Sequence, residues 1–437
     1  MQTPREICLK LLVSTEKNAA YSNIVLDKTL SKYNLLKDVD RRFITALYYG
    51  VIERKITLDA VIAKYSSRPC DKLSETVRNI LRMGIYQLLY MDSVPDNAAV
   101  NESVLLTKEN KNPAVSGFVN AVLRSFIRDG KTVPKGKTKA EQLSISYSCP
   151  EWLIKMWLKD YSEEAAVDML SSSIGRPPVT VRLNTCRFTV DEIASVLDND
   201  GVSLRLSDKV GDCAEIIGCG SVEKLSAYEK GMLHVQDISC QLCANVLQPQ
   251  PGETVLDLCS APGGKAFTIA EIMSDSGRVL AFDLHPHRVK LIESGAKRLG
   301  LKSITAGVNN AKIVSENIPE ADRVLCDVPC SGLGVIRRKP EIKYSDPEQL
   351  ARLPEIQYAI LSASSSYVKC GGVLVYSTCT LNRRENDEVV ERFLRENPDF
   401  EPLPIEGYSG YKLTLTPGVM GGDGFFIARL QRKVTDK

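Results

Sequence analysis

At 437 residues, 25% charged and 43% hydrophobic, the chain has the balance of an ordinary globular protein and is too long for a single core. No apolar stretch reaches the roughly 20 residues that cross a bilayer, and the start MQTPREICLKLLVSTEKNAA lacks the apolar region and cleavage site of a secretory signal; a cytoplasmic protein with no membrane partner is expected. Three histidines leave little material for a histidine metal site or a Ser-His triad, thirteen cysteines are expected as reduced thiols, and Cys240-x-x-Cys243 lacks the second pair that would complete a zinc site.

Residues 1–135 read as a helical bundle. REICLKLLVST, RRFITALYYGVIERKITLDAVIAKY, ETVRNILRMGIYQLLY and NAAVNESVLLTKEN repeat apolar residues at spacings of three and four. Breaks at Ser66-Ser67-Arg68-Pro69 and Ser93-Val94-Pro95-Asp96 separate them, with Asp96 or Asn97 as caps. The net charge of +2 hides an asymmetry: residues 1–140 hold 23 Lys and Arg against 14 Asp and Glu, a net of +9, and the remainder carries −7. A basic first third fits either a polyanion partner or a solvated helical surface. RDGKTVPKGKTKAEQ, residues 128–142, reads as a mobile basic linker.

Residues 136–230 read as a small α/β linking unit. Pro150 is expected at the first position of an amphipathic helix, PPVTVRLNT at 177–185 as a strand, and VDEIASVLDNDG as a helix ending at Gly201. From 231 to 437 strands and helices alternate, the pattern of a doubly wound parallel sheet. ETVLDLC, RVLAFDL, DRVLCDVP and GGVLVYSTC are strands; GGKAFTIAEIM, HRVKLIESGAKRLG and PEIQYAILSASSSYVK are helices, the second stopping at Gly300.

The loop in VLDLCSAPGGKAFTIAE lies between a strand and a helix, where Gly263 and Gly264 let backbone approach a ligand and the helix start offers free N–H groups. Neither G-x-G-x-x-G nor the phosphate loop G-x-x-x-x-G-K-[ST] is present, since Ala266 follows Lys265. Asp283 ends the next strand some twenty residues on, at the station of a ribose-binding acid, though a helix cap is the plainer role. A glycine turn and ribose acid without a pyrophosphate fingerprint fit S-adenosylmethionine better than a nicotinamide dinucleotide.

Two further strands end in Cys326-Asp327-Val328-Pro329-Cys330-Ser331-Gly332 and Ser377-Thr378-Cys379-Thr380. If they are neighbours, Asp327, Cys330 and Cys379 meet in the crevice beside the cofactor. Two thiols near a methyl donor suit methylation at carbon 5 of a pyrimidine. That carbon is too weak a nucleophile unaided. A thiolate adding to carbon 6 makes it enamine-like, an acid such as Asp327 stabilises the ring at nitrogen 3, and a second thiol assists release. Lys265 would favour the thiolate form, and the base must be unpaired to enter. Cys326 and Cys370 are read as core residues.

These motifs resemble those of bacterial ribosomal RNA small-subunit cytosine-5 methyltransferases of the RsmB (Sun, Fmu) type. LDLCSAPGGKA resembles that family's cofactor loop, which assigns Cys259, Ser260, Ala261, Pro262, Gly263, Gly264 and Lys265 to S-adenosylmethionine; Asp283 matches its ribose acid. DVPCSGLG resembles the motif supplying a cofactor-side Asp327 and the releasing Cys330, and YSTCT the motif holding the nucleophile, Cys379. In DNA cytosine-5 methyltransferases the Pro-Cys cysteine attacks instead, so the choice of Cys379 rests on the resemblance. ILRMGIYQLLYMDSVPDNAAVNESV and GFVNAVLRSF resemble the antitermination factor NusB and imply RNA binding. The implied architecture is a NusB-like helical bundle, a small α/β (RRM-like) linking domain and a Rossmann-like doubly wound methyltransferase domain. Small-subunit ribosomal RNA is the implied partner, with transfer RNA the runner-up; DNA is not expected, a monomer is, and a catalytically silent RNA-binding factor is the rival class. Two positions depart from the family: Asn310 stands where an adenine-side Asp is usual, and Cys149 stands where a His is usual.

Overall fold

A computed structural model describes residues 2–18, 22–33, 36–110 and 112–434. The chain divides into two compact units, Met1–Gly175 with Ile336–Ser345, and Arg176–Val335 with Asp346–Lys437.

The first unit is helical. Its helices include Pro4–Asn18, Asp38–Glu53, Lys55–Tyr65, Glu75–Tyr90, Asp96–Glu109 and Ser116–Arg128. The three-four spacing of Ile44, Leu47, Tyr48 and Val51, and of Val77, Ile80, Leu81 and Leu88, puts these side chains in one apolar core. Ser74 caps the Glu75–Tyr90 helix by accepting from Val77 N. On that helix the buried Arg82 pairs with Asp59 and Glu16, both at 2.6 Å, so a cation inside the bundle is matched by two acids.

Three local readings are corrected. Pro95, not Asp96 or Asn97, takes the N-cap; Asp96 sits in the first turn, where the helix dipole favours an acid, and pairs with Lys131 at 2.7 Å. Pro150 precedes rather than opens the helix Glu151–Asp160. The stretch 128–142 is structured. Thr138 caps a helix over Lys139–Tyr147, and Gln142 Oε1 accepts from Gly136 N at 2.9 Å. Polar side chains there bond the backbone while still facing solvent, which its composition hides.

The second unit holds two sheets. β1 (Thr180–Leu183), β2 (Ser203–Leu206), β3 (Cys213–Ile217) and β4 (Leu233–Val235) form an antiparallel sheet in the order β2-β3-β1-β4. The helix Val190–Asn199 starts at a capping box between Thr189 and Glu192. The larger sheet is built from β5 (Thr254–Asp257), β6 (Arg278–Asp283), β7 (Ile304–Val308), β8 (Ala321–Asp327), β9 (Val368–Thr378), β10 (Phe400–Pro402), β11 (Lys412–Leu415) and β12 (Phe425–Arg432). Its order is β10-β12-β9-β8-β5-β6-β7, with β11 on β12. β5 to β9 pair in parallel, and β12 runs antiparallel beside β9. The parallel strands are Val- and Leu-rich because helices cover both faces. Strand order reverses at β5, so the crevice beyond the carboxyl ends of β5, β6 and β8 is where such a sheet receives a ligand.

Candidate active site

The cofactor loop leaves β5 at Asp257 and enters the helix Gly264–Ile272. Gly263 has φ +111°, and a Cβ there would lie 2.4 Å from the Phe267 ring; only glycine fits. Gly264 is different: a Cβ would meet nothing nearer than Gln236 at 3.5 Å, so its need for glycine is not set by the protein. The Ala261–Pro262 peptide is cis. The loop is tied to the next strand, since Ser260 N donates to Phe282 O at 2.7 Å. Arg288 donates to Ala261 O at 2.8 Å and pairs with the buried Asp283 at 3.1 Å. Asp283 also accepts from His285 N at 3.0 Å, so its local role as a turn cap and its station at the strand tip coexist. Asn310, just beyond β7, turns its Oδ1 to Lys312 N at 3.2 Å.

Polar groups on this rim are buried and poorly satisfied among the described residues: Asn309 Nδ2 has no hydrogen-bond partner, and the Asp257 carboxyl meets only Ser260 Oγ and the Cys259 backbone, in contacts outside good hydrogen-bond geometry. An orphaned buried group costs about 1–3 kcal/mol. Burial, then the charge of Asp327, pushes the Asp257 carboxyl up to about 7. Unsatisfied donors and acceptors beside a glycine turn fit a polar nucleoside ligand.

On the other side of the crevice β8 and β9 are neighbours, with Asp327 opposite Ser377. Asp327 is held at both oxygens, by Lys265 Nζ and by Ser377 Oγ, each at 2.7 Å. Lys265 also lies 3.6 Å from Cys240 Sγ and 5.1 Å from the Phe425 ring centre. Burial opposes its charge most strongly, but Asp327 together with Cys240 and Cys243 outweighs it and holds the amine well above its usual range. The cation expected to favour a thiolate is thus engaged by Asp327.

Cys330 and Cys379 come together, Sγ to Sγ 3.3 Å, both half-buried. The hydrogen bond to Cys379, then burial, then the charges of Cys379 and Glu385 hold the Cys330 thiol well above its ordinary range. Cys326 is fully buried and pushed up to about 12 by burial, whereas Cys370 is exposed rather than in the core. Cys149 is buried and likewise raised to about 12 by burial.

Two residues at the site were not singled out from sequence. Asp257 is an acid inside an apolar strand, a signal in itself. Glu385 lies in the charged run Arg383-Arg384-Glu385-Asn386-Asp387, yet is fully buried.

Residues 244–431 match the family 16S rRNA methyltransferase RsmB/F, residues 2–128 the NusB family, and residues 149–223 the Methyltr_RsmF/B-like, ferredoxin-like domain. The chain is 40% identical to the Bacillus subtilis (strain 168) protein called "Probable ribosomal RNA small subunit methyltransferase B", over 98% of both. It is 34% identical to ribosomal RNA small subunit methyltransferase B of Escherichia coli O1:K1 / APEC, over 91% of this chain and 92% of that one. The crystal structure of PH0851 superposes with a TM-score of 0.82 at 26% identity, covering 99% of each chain. That of NSun6 from Pyrococcus horikoshii with SFG shares the fold at a TM-score of 0.60 and 21% identity, over 66% of this chain and 99% of that one. A NusB-like helical domain, a ferredoxin-like domain and an α/β methyltransferase domain therefore follow one another along the chain. The chain belongs to the RsmB/F methyltransferase family, and S-adenosylmethionine is its methyl donor.

Proposed function

We propose that this enzyme methylates carbon 5 of a cytosine in small-subunit ribosomal RNA through a temporary bond to Cys379. The observation that carries the reading is the pair of thiols 3.3 Å apart at the ends of adjacent strands, beside Asp327. The two sulfurs lie within hydrogen-bond reach of each other, and either can be the donor. With Cys330 as the donor, the contact would favour the thiolate on Cys379. Cys379 Sγ bonds carbon 6 of the ring, and the electrons of the 5,6 double bond move toward carbon 5. S-Adenosylmethionine supplies an electrophilic methyl group. A base then takes the proton from carbon 5, the 5,6 double bond re-forms as the carbon–sulfur bond breaks with its electrons staying on Cys379 Sγ, and Cys330 assists by hydrogen-bonding the departing sulfur.

Asp327 orients the ring at nitrogen 3, and its fixed contacts to Lys265 and Ser377 preset its direction. The residues assigned to the cofactor are Cys259 through Lys265, Asp283, Asn310 and Asp327. An amide at Asn310 can still bond an adenine edge. The proposed division of labour is 1–135 for gripping RNA, 136–230 as the link, and 231–437 for chemistry, in a chain acting as a monomer in the cytoplasm.

Cys379→Ala will abolish transfer to ribosomal RNA. Cys330→Ala will accumulate a protein–RNA adduct that survives denaturing electrophoresis. Normal turnover by Cys330→Ala with no adduct would overturn the assignment of both thiols.

A further inference from the structure

Between β9 and the helix Asp387–Glu396 the chain makes a turn that brings Glu385 beneath both cysteine loops. Its carboxylate accepts four hydrogen bonds, the full capacity of the group. Ser331 N and Gln357 Nε2 donate to Oε2, each at 2.9 Å; Ser331 Oγ donates to Oε1 at 2.5 Å and Asn382 Nδ2 at 2.9 Å. Because Ser331 gives its hydroxyl proton to Glu385, the 2.7 Å contact between Ser331 Oγ and Thr380 Oγ1 has Thr380 as donor. One carboxylate thereby joins the residue after Cys330 to the residue after Cys379.

The surroundings reinforce the clamp. Gln357 also donates to Pro329 O at 3.0 Å, the residue before Cys330. Gly334 N donates to Cys379 O at 3.0 Å. Tyr376 OH donates to the Glu385 carbonyl at 2.5 Å, and Asn386 Nδ2 to Thr380 O at 2.9 Å. Chain neighbours of each thiol are thus fixed on both sides, while the sulfurs stay half-buried and reachable.

We infer that Glu385 is a positioning residue that sets the distance between Cys330 and Cys379. Two thiols sharing one base must keep a fixed separation, because a misplacement near 1 Å costs roughly 100-fold in rate. The inference rests on the two-thiol reading above. An amide at 385 has the same shape but presents hydrogens to two of the four donors, so it will push the loops apart.

The test uses Glu385→Gln and, should that variant fold poorly, Ser331→Ala, which removes one donor and keeps the backbone. Three quantities are measured on the full-length protein: turnover with ribosomal RNA, affinity for S-adenosylhomocysteine by calorimetry, and the rate at which the azo oxidant diamide joins Cys330 to Cys379. Diamide takes the two thiol hydrogens and their electrons as the sulfur–sulfur bond forms, read as a 2 Da loss in the linked peptides. The expected result is kcat lowered on the order of 100-fold, product affinity within about twofold of the parent, and thiol joining at least about tenfold slower. Ser331→Ala will move the same quantities in the same direction by less. Parental kcat with parental joining rate in Glu385→Gln, or lost kcat with an unchanged joining rate, overturns the role of Glu385. Activity surviving in Cys379→Ala would instead overturn the covalent reading, and the joining assay would still report on the clamp.

Discussion

Asp257 shows how one buried side chain ties stability to pH. Its carboxyl titrates at about 7 in the fold, against about 4 in an unfolded chain. Between those values the folded protein holds a proton that the unfolded chain has lost, so stability falls as pH rises through this window and levels off above 7. Asp257→Asn removes the ionisable group. Without ligand, the variant will gain on the order of 1–3 kcal/mol over the parent at pH 8, read as urea midpoints at pH 5 and pH 8, and calorimetry will show weaker binding of S-adenosylhomocysteine. The loop residues Cys259–Lys265 and the thiols Cys330 and Cys379 were legible in the sequence because Gly, Pro and strand-end hydroxyls punctuate local geometry. Glu385 was not, because what buries it are Ser331 and Gln357, 54 and 28 residues away; its own neighbours Arg383, Arg384 and Asp387 spell a solvated helix.

At the scale of elements, the segment Ile336–Ser345 belongs to the helical unit although it is flanked by catalytic-domain sequence. Glu341 accepts from Ser22 N and Oγ, at 3.0 and 2.8 Å; Tyr344 OH donates to Ile52 O at 2.9 Å; and the buried Lys343 Nζ donates to Glu53 O at 2.7 Å. Nothing periodic in RRKPEIKY announces this, since every partner is some three hundred residues upstream. Burial pulls the Lys343 amine down to about 8. From there to its usual value near 10.4 the unfolded chain keeps a proton that the fold has released, so this group makes the protein more stable as pH rises across the window. Lys343→Met will remove that rise while staying within about 1 kcal/mol of the parent at pH 7. Thermal midpoints at pH 7 and pH 9.5 decide it. β5, β6, β8 and β9 of the larger sheet, by contrast, were plain from their apolar runs; the short β7, β10 and β11 were not, nor was the antiparallel insertion of β12 between β9 and β10, because pairing across a sheet leaves no periodic mark.

For the whole molecule, the +9 of residues 1–140 against the −7 of the rest makes salt a discriminating probe. If the helical domain grips phosphates, raising salt from 50 to 200 mM will weaken RNA binding on the order of tenfold or more, while affinity for S-adenosylhomocysteine changes little. Filter binding and calorimetry on one preparation give both slopes; equal slopes would mean that the basic surface is not the RNA grip.

The placement of 336–345 also bears on biogenesis. Translation delivers residues 1–175 first, but the piece that completes their unit is added only after 176–335 have been made. Domains usually fold in order as they leave the ribosome. Here the core of the leading unit can form early, but the contacts of Glu341, Lys343 and Tyr344 that complete it are added only after most of the following unit has been synthesised.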